Sequence, residues 1–467
     1  MPTDCSNAQI TFEGFGGRQV VGRFDGGAVT SNAGAVLLRE ADRVIGLTRR
    51  VCSAIRDGRL RDAVVHALPT LVAQRIHAIA LDYEDINDHD ELRHDPALAL
   101  VSDTLEPKRK DVAVLAGRST LQRFEQSAKT GVARYHKFDV DDAAMDRVFL
   151  DIYIAAHKRP PKKIRLDLDA TDIPLHGDQE GKFFHGYYGN YCYLPLYVFA
   201  GKHLLLARLR RANIDAAAGS TEEIARIIAY LRRYWPDVEI CLRADSGFAR
   251  EELMAWCEEN RVDYVFGLAR NSRLESMIEE ASAQAKAQFE ETKTPARVFK
   301  ELEYRTRKSW SRSRRVVAKA EQLEKGTNPR FIVTSIAAGQ SEGQELYEKV
   351  YCHRGEMENR IKECQLDLLA DRASAMTMRS NQIRLWFSSL AYVLVHAVRR
   401  LGLAGSSLEQ ATVGTIRLKL FKIGAVVTRS VRRIKFAFAT ACPLQDVFAL
   451  CVRTLRETPA ETVEGAA

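Results

Sequence analysis

The segment IRLDLDATDI (164–173) constrains this chain more than any other, because three acids, Asp167, Asp169 and Asp172, lie inside or at the end of an apolar strand. Side chains alternate along a strand, so Asp167, Asp169 and Thr171 share one face. Carboxylates this close to a core are costly unless they are paired or hold a cation. A strand end whose acids face solvent or cap a turn would also satisfy that requirement.

The surrounding pattern supplies the context. GYYGNYCYLPLYVFAG and HLLLARLRRA read as further strands. STEEIARIIAYLRRYW then reads as a helix, capped by Ser220 or Thr221, with Glu222 and Glu223 in its first turn, where the helix dipole favours acids. VEICLRAD, REELMAWCEEN and DYVFGLA follow as strand, helix and strand. Three strands, helix, strand, helix, strand is a mixed α/β layout. Residues 270–340 break the rhythm: a polar helical stretch precedes alternating segments (ARVFKELEYRTRKSW, RRVVAKAE, RFIVTSI), which predict an antiparallel, β-rich insertion. Helical periodicity resumes from Tyr347 and again in NQIRLWFSSLAYVLVHAVRRLG. Upstream, residues 1–157 are mostly helical after a small β start, with a helix expected from Ser119 or Thr120. The stretch TIRLKLFKIGAVVTRSVRRIKFAFAT alternates around a glycine and predicts a hairpin, and ETPAETVEGAA predicts a disordered tail. The resulting divisions are 1–157, 158–269, 270–340, 341–400 and 401–467.

Composition narrows the class. Hydrophobic residues at 46% and charged residues at 28% exclude a wholly disordered, collagen-like or coiled-coil chain. Nine cysteines, none paired as CxxC, suggest neither a zinc site nor a disulfide framework, and predict reduced thiols in a cytoplasm. The N-terminus lacks the basic and apolar regions of a signal peptide. The longest apolar run, 385–398, is shorter than the ~20 residues of a membrane span. A soluble cytoplasmic protein with no membrane partner is expected. The balance of 69 Lys+Arg against 61 Asp+Glu leaves a net charge of +8, which suits a polyanionic partner.

Two further signals join the acidic strand. In Arg243-Ala-Asp245-Ser-Gly247-Phe, Asp245 ends an apolar strand, where α/β sheets place ligand groups, although a helix cap is the plainer use of such an Asp. In Tyr351-x-x-Arg354-x-x-x-Glu358-x-x-x-Lys362, offsets of three, four and four keep four residues on one helical face, as a solvated salt-bridge stripe also would. Glu356 is a rival acid on a different face. Three converging carboxylates raise one another's pKa. A pair of divalent cations removes that conflict, and oxygen ligands with a phosphate substrate suit Mg²⁺. Two such ions about 3.5–4 Å apart can activate a water or 3′-hydroxyl and stabilise the leaving oxygen.

At this point the chain resembles the DDE transposases of bacterial insertion sequences, in the branch whose glutamate lies in a Tyr-Arg-Glu-Lys signature. LDLDATDIPLHGDQEGKFFHGYYGNYCYLPL, RADSGF and YCHRGEMENRIKECQLDL carry the resemblance most specifically. FDGGAVTSNAGAVLLREADRVIGL, DYEDINDHDELRHDPAL and STLQRFE extend it over most of the chain. The resemblance implies an RNase H-like mixed-sheet catalytic core with a β-rich insertion and a mostly helical N-terminal region. It implies catalytic, metal-holding roles for Asp169, Asp245 and Glu358, with Asp167 and Asp172 as open alternatives for the first acid. It places Tyr351 and Arg354 in the signature. The signature lysine is replaced by Gln365, and Lys362 could substitute for it.

The same resemblance implies cut-and-paste transposition by a bacterial, nucleoid-associated enzyme. A homodimer would bind double-stranded DNA at terminal inverted repeats, through its N-terminal helices, and would also bind target DNA. Two Mg²⁺ ions, or Mn²⁺ in their place, would serve cleavage and strand transfer, with a DNA hairpin on the way. Between Tyr304 and Ala320 the insertion holds Arg305, Arg307, Lys308, Arg312, Arg314, Arg315 and Lys319 and no acid, with Trp310 in the middle. Those cations could contact DNA phosphates, and Trp310 could stack on an unpaired base for about 1–3 kcal/mol; a solvated hairpin with a packed Trp is the alternative. Arg417, Lys419, Lys422, Arg429, Arg432, Arg433 and Lys435 offer DNA contact or dimerisation. The aromatic run Phe183, Phe184, Tyr187, Tyr188, Tyr191, Tyr193 is expected to be mostly core, and His176 and His185 DNA-facing or structural rather than metal ligands. The rival readings are a non-catalytic DNA-binding relative and a phosphatase built on Asp167-x-Asp169-x-Thr171.

Overall fold

The computed structural model of the chain describes residues 9–126 and 136–463. Cys5 and the last four residues of the expected tail lie outside them. The eight cysteines among the described residues are free thiols. No described helix is long and apolar enough to cross a membrane. The chain divides into two compact units, one built from 1–140 with 394–460, the other from 141–393 with the residues after 460.

The first unit is mostly helical. Its opening β-ribbon pairs Ile10–Phe15 with Arg18–Gly22, and helices Val36–Ile45, Leu47–Ser53, Leu68–Ala80, Pro96–Val101 and Arg118–Glu125 follow. The last begins without a hydroxyl cap; Gly117 is its N-cap, and the Asp90 carboxylate accepts the Arg118 backbone N–H instead. Near the C-terminus the hairpin is shorter than the alternation predicts. Ala425–Arg429 pairs with Ile434–Phe438, and Val29–Thr30 adds a third strand. TIRLKLF is helical, because Val413, Ile416 and Leu420 are buried at helical spacing while Leu418 is exposed, and Thr412 caps the turn. Gly34 lies directly on this turn: a Cβ there would stand 1.7 Å from the Leu420 carbonyl oxygen.

The second unit is an α/β sheet structure, as the strand–helix rhythm predicts. Its elements, in chain order, are α1 (Asp142–Ala155), β1 (Lys163–Ala170), β2 (Ile173–Pro174), β3 (Phe183–His185), β4 (Asn190–Tyr193), β5 (Leu196–Ala200) and β6 (His203–Arg208). There follow α2 (Ser220–Tyr234), β7 (Glu239–Ala244), α3 (Glu251–Glu259), β8 (Asp263–Leu268), α4 (Ser272–Met277) and α5 (Glu279–Thr292). Then come β9 (Ala296–Tyr304), β10 (Arg314–Leu323), β11 (Gly326–Thr327), β12 (Arg330–Thr334), a helical run, 343–367, whose central piece is α6 (Gly355–Lys362), and the long helix α7 (Met378–Ala397), which the periodicity predicts. Nine strands form one mixed sheet in the order β6-β5-β1-β7-β8-β12-β10-β9, with β11 on β10. β1, β7 and β8 are parallel, and their neighbours on both sides antiparallel. The first five strands of this sheet in chain order, β1, β5, β6, β7 and β8, take the spatial order third-second-first-fourth-fifth, with parallel and antiparallel pairs mixed. The insertion strands β9–β12 continue that sheet, and α5 packs on β9 and β10.

Alternation sorts the residues of the central strands onto two faces. Leu166, Leu168, Leu242, Ala244, Tyr264 and Phe266 join Ile224, Ile228, Leu231 and Leu253 of α2 and α3 in the main core. Cys241, Val265, Val317 and Ile332 face the other way, onto Leu346 and Tyr347 of the helical run. The insertion is fastened to the main core by Trp310 and Arg314. Trp310 is 4% exposed and meets Tyr304 edge-on at 5.6 Å. Arg314 lies 5.4 Å over the Trp310 ring and bonds Glu251 at 2.6 Å and Glu258 at 2.7 Å, both on α3. Burial works against the Glu251 charge, yet Arg314 and Ser311 hold its carboxyl down at about 2.

Two outcomes follow from this packing. Gly34→Ala should lower stability by about 3 kcal/mol, the upper end of overpacking costs, because backbone rather than a flexible side chain must give way; denaturant midpoints will measure it. Arg314→Ala should cost a similar ~3 kcal/mol by stranding Glu251 and Glu258. Because the folded pKa of Glu251 is depressed, its share of that stability is complete above the ordinary value of 4.5 and fades as pH falls through about 2. A variant with an unchanged melting temperature would show that Arg314 carries no such load.

Candidate active site

The acids of β1 take their places from the alternation just described. Leu166 and Leu168 point into the core shared with α2 and α3, so Asp167 and Asp169 point to the face covered by the helical run. In the parallel register Arg243 of β7 stands opposite Asp167. The two form a buried bidentate pair, with Nε and Nη2 of Arg243 each donating at 2.7 Å, while its Nη1 donates to the Val350 carbonyl at 2.8 Å. Asp167 is therefore committed to Arg243. Burial raises its pKa, with Arg243 opposing and Glu356 adding. Asp172 is bound elsewhere: its carboxylate accepts from Asn190 at 3.1 Å, and its carbonyl from Gln365 at 2.9 Å.

Asp169, one full strand period further on, meets a different set. Arg354 donates to Asp169 at 3.4 Å and to Glu358 at 3.2 Å, bridging the strand and α6. Burial pushes the Asp169 carboxyl up to about 6; Arg354 opposes the shift, and the nearby charges of Asp245 and Glu358 add to it. Asp245 follows β7 and caps the next turn, its Oδ1 accepting the Gly247 backbone N–H at 2.8 Å. Burial works against the Arg354 charge, but Asp169, Tyr351, Asp245 and Glu358 outweigh it and raise its pKa. The structure thus brings Asp169, Asp245, Glu358, Tyr351 and Arg354 into one electrostatic cluster. Asp169 and Arg354 are nearly buried, while Glu358 is half exposed. Among the described residues no three His, Cys, Asp or Glu side chains stand ready to coordinate a metal ion; Arg354 is the cation in place.

The helical run is not uniform. A wide π turn spans Leu346–Tyr351, a tight 3₁₀ turn Cys352–Arg354, and regular α-helix begins at Gly355. Such interruptions are frequent at functional sites. They set the Tyr351 hydroxyl against Gly267 of β8, where a Cβ would stand 2.6 Å from it and 2.9 Å from the Ser246 nitrogen. Only glycine permits this approach.

The other sequence-predicted residues separate. Lys362 is exposed on α6, and Gln365, in place of the signature lysine, braces the Asp172 carbonyl. Arg307 lies exposed between β9 and β10, and Arg312 is exposed but pairs with Glu258 at 3.2 Å. Arg314 has a different task from the phosphate contact expected of it, as described above. So has Arg315, which bonds Glu301 at 2.6 and 2.9 Å and the carbonyls of Ile336 and Ser341. Trp310, in the core, offers no face to a base. His176 is exposed and His185 half-buried against Tyr188. Sequence reasoning assigned no role to Arg243 or Gly267. Their signals were an arginine two residues before Asp245, on the same strand face, and a glycine inside an apolar strand.

No match is found among curated protein sequences. Among solved structures the chain is similar to the piggyBac transposase in a cryo-EM synaptic complex with hairpin DNA, at 9% identity over 84% of this chain and 79% of that one, with a TM-score of 0.37. The family model described as transposase DDE domain group 1 matches residues 12–460. With nearly its whole length matched, the chain belongs to that transposase family.

Proposed function

We propose that the second unit is the catalytic core of a DNA transposase that cuts and joins strands by divalent-metal chemistry, with Asp169, Asp245 and Glu358 as its acids. The observation that carries the reading is the clustering of these three around Arg354, from two neighbouring strand ends and a helix. The commitment of Asp167 to Arg243 supports Asp169 as the first acid. The full reading is cut-and-paste transposition by a homodimer at terminal inverted repeats, through a DNA hairpin.

The donor set fits hard divalent cations such as two Mg²⁺, or Mn²⁺ in their place: three carboxylates, one of them destabilised by burial and by the other two. Asp169, Asp245 and Glu358 would hold the ions, which when bound supply an activated oxygen nucleophile and stabilise the leaving oxygen. Arg354 keeps Asp169 and Glu358 together and neutralised until then. Tyr351 fixes the helix against β8. Of the expected DNA-contacting cations, Arg307, Lys308 and Lys362 in the second unit and Lys419, Arg432, Arg433 and Lys435 in the first are exposed, and so open to a phosphate.

Cleavage of a plasmid carrying the gene's own flanking ends tests the reading. Wild type should excise with Mg²⁺ and not with EDTA, and Asp245→Ala should lose about 10³-fold in rate, the equivalent of several kcal/mol, while still binding the ends. End binding without cleavage under any divalent metal would favour a non-catalytic DNA-binding relative. Thermal melts give a readout independent of activity. Arg354→Ala should melt lower than wild type in EDTA and gain more from Mg²⁺, since the cation restores the lost countercharge. Equal Mg²⁺ shifts would remove Arg354 from that role.

A further inference from the structure

The aromatic run after β1 is core only in part: Tyr193 is fully buried and Tyr188 half-buried, but the other four rings are exposed. Phe183, Phe184, Tyr187 and Tyr191 are 49%, 52%, 87% and 51% exposed, on a small sheet ordered β2-β4-β3. Phe184 and Tyr191 stand opposite each other in the register, and their rings meet edge-on at 5.5 Å. Tyr187 stands in the turn at the end of the β3–β4 ribbon, edge-on to Tyr188 at 5.0 Å. Solvent-exposed aromatic surface of this extent marks an interaction site.

The turn end of the ribbon is bolted to the chain just after Asp169. The Tyr188 hydroxyl donates to the Ala170 carbonyl at 3.3 Å, and Asn190 donates to Asp172 at 3.1 Å. Burial raises the Tyr188 pKa, and Asp172, Asp169 and Asp245 add to the shift, so the turn that bears Tyr187 and Tyr188 lies within electrostatic reach of the acids. Cations accompany the rings. Lys182 Nζ lies 5.3 Å over the Tyr191 ring, paired with Asp178, and the exposed Arg211 lies against Gly181.

Exposed π faces flanked by cations, a few residues from acids that act on a phosphodiester, match one occupant: a short unpaired stretch of the DNA strand being cut. A base within a duplex offers its faces only to its neighbours, whereas an unpaired base can stack on an aromatic ring. Resting on the transposase reading above, we propose that Phe184, Tyr187 and Tyr191 form a stacking platform that holds unpaired nucleotides of the DNA end beside Asp169, Asp245 and Glu358. The base-stacking role expected of Trp310 thereby falls to this ribbon.

Binding of the full chain to end-sequence DNA, in EDTA, tests the proposal. The probes are a blunt duplex and the same duplex with a three-nucleotide overhang containing 2-aminopurine. Wild type should bind the overhang more tightly and change the 2-aminopurine fluorescence. Each of Phe184→Ala, Tyr187→Ala and Tyr191→Ala should weaken overhang binding about tenfold, within the range for one base–aromatic stack, and leave blunt-duplex affinity unchanged. Tyr187→Phe and Tyr191→Phe, which keep the ring, should behave as wild type. Alanine variants that bind the overhang as wild type does would overturn the proposal and leave the transposase reading standing. So would variants that lose self-association in sedimentation while keeping DNA binding, which would assign the surface to a second copy of the chain. Wild type that binds neither probe would overturn both readings.

Discussion

The buried pair of Asp167 and Arg243 is the interaction on which the rest of the second unit depends. It joins two parallel strands in the middle of the sheet, and the third guanidinium nitrogen reaches the Val350 carbonyl of the helical run. One side chain therefore sets β1, β7 and the helix that bears Tyr351, Arg354 and Glu358. Losing either partner would leave a buried charge uncompensated, at a cost of about 3–5 kcal/mol. The pair also separates two acids that share a strand face. Asp167 is consumed as structure, which leaves Asp169 beside Arg354, Asp245 and Glu358.

Each apolar strand of this sheet serves two environments, and that is why so much was legible in the sequence. The alternation of Leu166 and Leu168 with Asp167 and Asp169 states both faces at once: one greasy and covered by α2 and α3, the other needing countercharge. The strand–helix rhythm around it led to the mixed sheet, and helical spacing placed Tyr351, Arg354 and Glu358 on one face of a single helical run. Nearest-neighbour chemistry carried these inferences, and nearest-neighbour chemistry is what a sequence displays.

What it does not display is the partner across a fold. The run of cations from Arg305 to Lys319 contains no acid, but Glu251, Glu258 and Glu301 reach it from other segments and bond Arg314 and Arg315. A charge pattern read along the chain therefore overstated how much of the insertion faces DNA. The opposite error befell the aromatic run, whose apolar composition suggested core although several of its rings are exposed. Residues 413–421 show a third case: Ile416, Leu418 and Leu420 alternate like a strand, yet Leu418 is exposed and the segment is helical, since period two and period four coincide at every second alternating position. Gly34 and Gly267 are invisible in a different way, because the backbone and hydroxyl that exclude a Cβ there come from residues far along the chain.

The unequal winding between Leu346 and Gly355 has a consequence for how such a sequence can change. A wide turn delays the angular advance of the helix and the tight turn after it recovers part of the delay, so the bearing of Glu358 is the sum of two opposed errors. A residue gained or lost within this stretch would rotate every later side chain by about 100°. Tyr351, pinned against Gly267, could keep its place while Glu358 swung away from Asp169. Length variation in this segment is thus confined by an angular tolerance, although much of its surface is open to solvent.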